Sequence, residues 1–277
     1  MEANKNLTEA KKAKKDEFYT QMDTIEKELA HYENQFKGKV IYCNCDSIDS
    51  NFVKYFQNNF HKLGIKQLVH TSYPDVDFRS EQSIELLKKC DIVVTNPPFS
   101  LFREFVAQMV KYNKKFLIVG NMNATTYKDI FPLISSNKIW YGCSIHSGDT
   151  AFNVPDSYEL KAAGCGVKNN IKFIRVKGVR WFTNIDYPER HKDLILTKDY
   201  KISEYPEYDN YLAINVNKTK DIPRDYVGVM GVPITFLDKY NPEQFEIIKF
   251  RKGDDNKDLS VEGRCPYFRI LIKRILN

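Results

Sequence analysis

None of the six cysteines, at positions 43, 45, 90, 143, 165 and 265, stands in a C-x-x-C pair. That excludes a zinc knuckle, and a chain of 277 residues does not need a disulfide framework. The cysteines read as reduced thiols, mostly packing groups. The five histidines are scattered without ligand spacing, so no metal is expected. No run of eighteen uncharged apolar residues occurs, so no membrane-spanning helix is expected. Internal repeats and low-complexity tracts are missing too. The opening residues are lysine-rich and have no apolar centre, so no secretory signal is read there and a cytoplasmic location is expected. Strong charge of one sign is also lacking. Lys plus Arg number 42 against 36 Asp plus Glu, a net +6. That excess suits a polyanion partner without requiring one.

What is present is an alternation of strands and helices. Residues 1–15 read as a flexible basic arm, with Lys11, Lys12, Lys14 and Lys15 placed to touch phosphates or to keep the chain soluble. From Asp16 to about Asn34, Phe18, Met22, Ile25 and Leu29 form one helical stripe, ended by Gly38. Lys39 to Asn44 reads as a buried strand. Phe52, Val53, Phe56, Phe60 and Leu63 fall at helical spacing with Gly64 as C-cap, and Ile65 to His70 is a second strand. The spacing predicts a helix over 80–89, a strand over 91–95, a helix over 101–112 and a strand over 115–120. Strand–helix alternation of this kind argues for a doubly wound α/β sheet with right-handed crossovers. After about residue 140, short aromatic-rich runs separated by Gly, Asn, Asp and Pro read as β-rich, loop-rich structure.

Ligands of an open parallel sheet bind outside the carboxyl ends of its strands. Three polar clusters are predicted to converge there: Cys43-Asn44-Cys45-Asp46, Asp75 to Arg79, and Asn96-Pro97-Pro98-Phe99. The third carries a chemistry. An exocyclic amine of a purine is a poor nucleophile because its lone pair is delocalised into the ring. Two acceptors on its hydrogens, the Asn96 side-chain oxygen and the Pro97 carbonyl, would draw the nitrogen towards a tetrahedral, attacking form. Pro98 helps to fix the geometry in advance, and Phe99 offers a face for a flat ring. A base in a duplex would have to be flipped out to reach such a pocket. Read blandly, Asn-Pro-Pro is a turn after a strand; the aromatic ring and the amphipathic helix that follow are the context that favours chemistry.

These residues resemble the catalytic motif of N6-adenine DNA methyltransferases. The runs T-N-P-P-F-S-L-F-R-E-F, V-I-Y-C-N-C-D, D-F-R-S-E at 77–81 and G-V-M-G-V-P-I-T-F-L-D-K-Y-N-P at 228–242 are similar to the EcoRI-type family, from about residue 14 to the end. The resemblance implies a Rossmann-like class I methyltransferase sheet using S-adenosylmethionine, with a β-rich C-terminal target-recognition portion. It implies a cofactor-binding and catalytic core over 16–140, with remaining core strands and DNA-binding elements over 141–277. Asn96, Pro97, Pro98 and Phe99 would be catalytic. Asp77 would accept from the cofactor adenine's amine and Phe78 would pack on it. Phe18, Tyr19 and Thr20 would reach the methionine end, with Cys43, Asn44, Asp46 and Asn96 completing the cofactor site. The loop after the first strand departs from the usual Gly-rich pattern of methyltransferases, the second strand ends His70-Thr71-Ser72 without an acidic residue, and the Thr71–Asp77 segment is short.

Other readings stand beside these. Asp77 could start a helix with Phe78 as packing anchor, and Asp46 could be an Asx-turn residue. Arg180, Thr183 and Asn184 are candidate DNA-binding residues, since Arg and Asn read guanine and adenine edges, whereas Trp181 reads as core. The expected activity is methylation of adenine N6 in duplex DNA by a bacterial, cytoplasmic monomer, solitary or with a cognate restriction endonuclease. The same motif also serves RNA-base and protein-glutamine methylation, and an inactive DNA-binding module is a third reading.

Overall fold

The computed structural model describes residues 18–146, 148–160 and 164–276. The basic-arm residues Lys11, Lys12, Lys14 and Lys15 lie outside them. Two compact units form: one holds the chain to Ile130 together with Tyr141–Asp186, the other holds Phe131–Trp140 and the chain from Tyr187 onward.

In the first unit the strands are β1 (Tyr19–Thr20), β2 (Val40–Cys43), β3 (Gln67–His70), β4 (Ile92–Thr95), β5 (Lys115–Asn121), β6 (Trp140–Tyr141, where the two units divide), β7 (Asp149–Asn153), β8 (Gly166–Lys168), β9 (Ile171–Lys177) and β10 (Val179–Thr183). A six-stranded sheet has the order β3-β2-β4-β5-β10-β6. β3, β2, β4 and β5 run parallel and β10 is antiparallel to β5. The chain therefore leaves β2 for β3 on one side, then returns past β2 to lay down β4 on the other. β2 and β4 pair directly, and the winding reverses between them; ligands of such sheets bind outside the carboxyl ends at that point. β4 is buried along its whole length and apolar up to its last residue, Thr95, as a strand covered on both faces must be.

The helices follow their local signals. Helix α1 spans Met22–Leu29 and buries Ile25 and Leu29. Ser50 caps α2 (Asn51–Asn58) by accepting from the Val53 N–H at 3.2 Å, and α3 (Phe60–Leu63) ends at Gly64 in the left-handed region. Ser80 caps α4 (Glu81–Lys89) in the same way. Here Ser83 and Leu87 are buried, while Ile84 is half-buried. Helix α5 (Phe102–Lys111) lays Phe102, Phe105, Val106 and Met109 on the sheet.

One expected element differs. The stripe from Asp16 predicts helix from the start, but Tyr19 and Thr20 pair with Asn153 and Phe152 of β7. Pairing across more than 130 positions of sequence overrides local periodicity. β1, β7, β9 and β8 form a second, four-stranded sheet in that order.

The second unit contains helix α6 (Phe131–Ser135) and strands β11 (Glu207–Tyr208), β12 (Tyr211–Asn215), β13 (Met230–Pro233), β14 (Phe245–Phe250) and β15 (Arg269–Arg274), with sheet order β11-β12-β13-β15-β14. Tyr208, Ala213, Leu259 and Leu271 pack at its core. The Tyr208 hydroxyl and the Arg269 guanidinium both donate to the Asn215 side-chain oxygen.

Gly120 of β5 decides how closely α5 approaches the sheet. A Cβ there would lie 2.4 Å from the Phe102 ring and 3.0 Å from the Phe182 ring. Those rings are buried and meet edge to face at 4.9 Å, so neither can swing away. Gly120→Ala is expected to destabilise the protein by about 1–3 kcal/mol; a denaturant midpoint equal to wild type would contradict this packing.

Candidate active site

The carboxyl rim between β2 and β4 carries a buried polar knot. β2 ends at Cys43, and Asn44, Cys45 and Asp46 follow as the loop. The Asp46 N–H donates to the Thr71 carbonyl at 2.9 Å, tying this loop to the end of β3. The Asp46 carboxylate accepts from the Thr95 hydroxyl at the end of β4, from Ser50 and from the Asn96 N–H. Burial pushes its pKa up from 3.8 to about 7, against the lowering by those three donors. Asp46 thus joins the loop after β2, the cap of α2 and the first residue of Asn-Pro-Pro-Phe.

Asn96 follows β4 directly. Its side-chain Nδ2 donates to the Phe18 carbonyl just before β1. That bond uses a donor of the amide, which assigns its direction: Oδ1, buried and with no partner among the described residues, is turned the other way as an acceptor. Pro97 and Pro98 are buried, and the Pro98 carbonyl accepts from the Leu101 N–H at 2.9 Å. The half-buried Phe99 ring stands 6.0 Å from Phe18 and 6.4 Å from Phe152. Phe18 and Phe152 are themselves 6.0 Å apart. The Asn-Pro-Pro-Phe motif is thus flanked by Phe18, which precedes β1, and by Phe152 of β7.

The other predicted positions divide. Asn44 is fully buried, and neither its oxygen nor its nitrogen has a partner among the described residues. Thr20 is buried with its hydroxyl unpartnered in the same way. A buried amide without a partner costs a few kcal/mol unless something polar meets it, so Asn44, Thr20 and Asn96 suit a polar ligand at this rim. Asp77 reaches the same neighbourhood: burial above all, then the Asp46 charge and last that of Asp77 raise the pKa of the Cys45 thiol. Its own pKa is lowered by Arg79, whose guanidinium donates to both carboxylate oxygens and also to Glu104.

The remaining expected positions are placed as follows. Strand alternation puts Tyr19 on the opposite face from Phe18 and Thr20, and it is exposed. Phe78 is buried against Phe105 at 5.1 Å and acts as a packing anchor beneath the rim. The Cys43 thiol is buried, with its pKa raised by that burial. Arg180, Thr183 and Asn184, expected to meet DNA, are taken up by the sheet. Arg180 is buried in β10 and donates to the carbonyls of Val179 and His146. The Thr183 hydroxyl donates to the Phe116 carbonyl, while Asn184 accepts from the Phe116 N–H and donates to the Lys114 carbonyl. Trp181 is core, as expected. Sequence reading did not single out Thr95, Ser50, Thr71 or Phe152. Thr95 carried the only local signal, a polar residue closing a buried strand.

The family described as adenine-specific methyltransferase EcoRI matches residues 6–76 and 74–275. The Type II methyltransferase M.EcoRI of Escherichia coli is 52% identical over 98% of this chain and 96% of its own length. M.MgeORF184P of Mycoplasma genitalium is 38% identical, and M.MpnI of Mycoplasma pneumoniae 37%, each over 97% of this chain and 98% of the relative. No solved structure matches significantly. The chain is therefore a methyltransferase. It belongs to the EcoRI family of adenine-specific methyltransferases. None of these relatives is named for an RNA base or a glutamine side chain. The two matched segments meet at residues 74–76, within the short Thr71–Asp77 connection.

Asp46 makes stability depend on pH. Its folded pKa is raised above the ordinary value, so between about pH 4 and pH 7 the folded state holds a proton that the unfolded state has lost. Stability therefore falls as pH rises through that window and levels off above it. Asp46→Asn is expected to flatten this slope, removing a stability change on the order of a few kcal/mol across the window. Equal slopes for the two proteins in denaturation from pH 5 to pH 8 would rule the effect out.

Proposed function

We propose that this chain transfers a methyl group from S-adenosylmethionine to the N6 amine of an adenine flipped out of duplex DNA. The observation that carries the reading is the direction of the Asn96 amide. Its NH2 group is committed to the Phe18 carbonyl, and its oxygen is buried and unpartnered at the switch point of the parallel sheet. An acceptor so placed takes a hydrogen from a planar amine. With the Pro97 carbonyl on the second hydrogen, the nitrogen lone pair is drawn out of conjugation and becomes nucleophilic. Phe99 holds the ring by stacking. The rigid motif needs little reorganisation as charge develops, which is where such sites gain rate. No protein nucleophile is required, and the buried thiols of Cys43 and Cys90, with raised pKa values, are poorly suited to be one.

The parallel strands fit a Rossmann-like class I arrangement, with Asn44, Thr20, Asn96 and Asp77 holding the cofactor along the rim. S-adenosylmethionine, when bound, supplies an electrophilic methyl on a sulfonium centre. The unpaired Asn44 amide suits the polar parts of such a molecule, and the Asp77 carboxylate, kept ionised by Arg79, suits an adenine amine. Residues 1–15 would serve as a basic arm, 16–140 as the cofactor-binding and catalytic core, and 141–277 would add the remaining core strands and the target-recognition elements. The protein would act as a monomer in the bacterial cytoplasm, alone or beside a cognate endonuclease.

Incubation with labelled S-adenosylmethionine and duplex DNA is expected to label adenine N6. Asn96→Ala should remove that label while DNA affinity stays within about tenfold, because the lost interaction belongs to the chemical step. Undiminished turnover in the variant would sink the mechanism.

A further inference from the structure

The four-stranded sheet joins the catalytic motif to an exposed hairpin. β8 and β9 pair antiparallel, with Val167 opposite Lys172 and Lys168 opposite Ile171. Asn169 and Asn170 make the turn, both with positive φ, 51° and 62°. That is a tight two-residue connection whose twist matches the flanking strands. At its tip Val167 is 59% exposed and Ile171 49%, and Lys168 and both asparagines are exposed as well.

The face on which Val167 sits is informative. The backbone of Val154 donates to the Lys172 carbonyl, and Tyr19 pairs with Asn153. One step further along, Phe18, Val154, Lys172 and Val167 therefore form a single row across β1, β7, β9 and β8. Phe18 and Val154 are buried, Phe18 beside Phe99 and under the Asn96 amide. Val167 ends the same row in solvent. Three interstrand steps separate it from Phe18, about 14 Å. That span equals about four base-pair steps at ~3.4 Å each.

We propose that the tip Val167–Ile171 is a specificity-determining element that enters the major groove of duplex DNA within about four base pairs of the methylated adenine. The inference rests on the methyltransferase reading above. A two-stranded ribbon fits the major groove. Two adjacent amides present the donor–acceptor pair that matches an adenine edge, and β-branched side chains suit thymine methyl groups. Lys168 suits a phosphate, which fixes register without reading sequence. The tight turn holds these groups in place before contact, so little ordering is needed on binding.

The experiment uses the full chain, short duplexes and sequencing of the methylated adenines. Replacing Asn169 and Asn170 together by Gly keeps a turn that tolerates positive φ and removes both amides. Discrimination at one or two base pairs should fall roughly 5- to 150-fold, with S-adenosylmethionine affinity by calorimetry unchanged. Lys168→Ala should weaken binding evenly across sequences and lower the salt dependence by about one phosphate contact. If the double variant keeps the wild-type site preference and Lys168→Ala keeps the wild-type salt slope, the hairpin does not meet DNA. A wild-type chain that leaves duplex DNA unmethylated would instead overturn the function reading, and this inference with it.

Discussion

The active rim depends on one buried carboxyl group. Asp46 sits where the winding of the sheet reverses, and its hydrogen bonds reach Thr95, Ser50 and the Asn96 N–H, with its own N–H on the Thr71 carbonyl. The carboxylate ties the loop after β2 to the end of β4 and the start of α2, and the backbone N–H of the same residue adds the end of β3. Apolar packing alone could not set the motif so narrowly, because it has no direction. Hydrogen bonds to a buried acceptor do, and leaving any of these donors unmet costs more than the bond gains when formed. The position of Asn96 is therefore inherited from a polar knot beside it.

The second constraint comes from outside the parallel sheet. A side-chain amide has a donor end and an acceptor end of nearly equal shape, and only its partners say which faces the substrate. Here the partner is the Phe18 carbonyl, held by β1 against β7. The six-stranded sheet supplies the motif, and the four-stranded sheet fixes which end of the amide is offered. The same second sheet carries Phe152 to the flank of Phe99 and the exposed hairpin to its far edge. Orientation of the Asn96 amide and presentation of the hairpin are thus properties of one small sheet.

What could be read from sequence follows the range of the interactions. The strand–helix alternation, the Gly64 stop and the Asn-Pro-Pro-Phe motif are all written within a few residues. The convergence of Asp46 with Asn96 also followed from pattern, because parallel strands put the same chain ends on one rim. The failures are long-range. Phe18 to Thr20 look helical by spacing, yet their partners are Phe152 and Asn153. Arg180 and Asn184 are residue types that read bases, yet β10 lies between β5 and β6, so they satisfy backbone groups there. Phe152 has no local mark of its place beside Phe99. Periodicity reports which face is apolar; it does not report what covers that face.

The two prolines also take on a structural meaning beyond stiffness. β4 lies between β2 and β5, and a proline inside such a strand would break the ladder. Pairing of β4 with β5 stops at Thr95 and Ile118, while β5 continues to Asn121 by pairing with β10. Val119, Gly120 and Asn121 thus stand beyond the end of β4 as a wall. Gly120, lacking a Cβ, lets the Phe102 ring close in on that wall. β4 thus ends early while its neighbour runs on, and Pro97 and Pro98, which lack an N–H, prevent the ladder from extending further. The motif therefore both carries the Asn96 amide and sets where the β4 ladder stops.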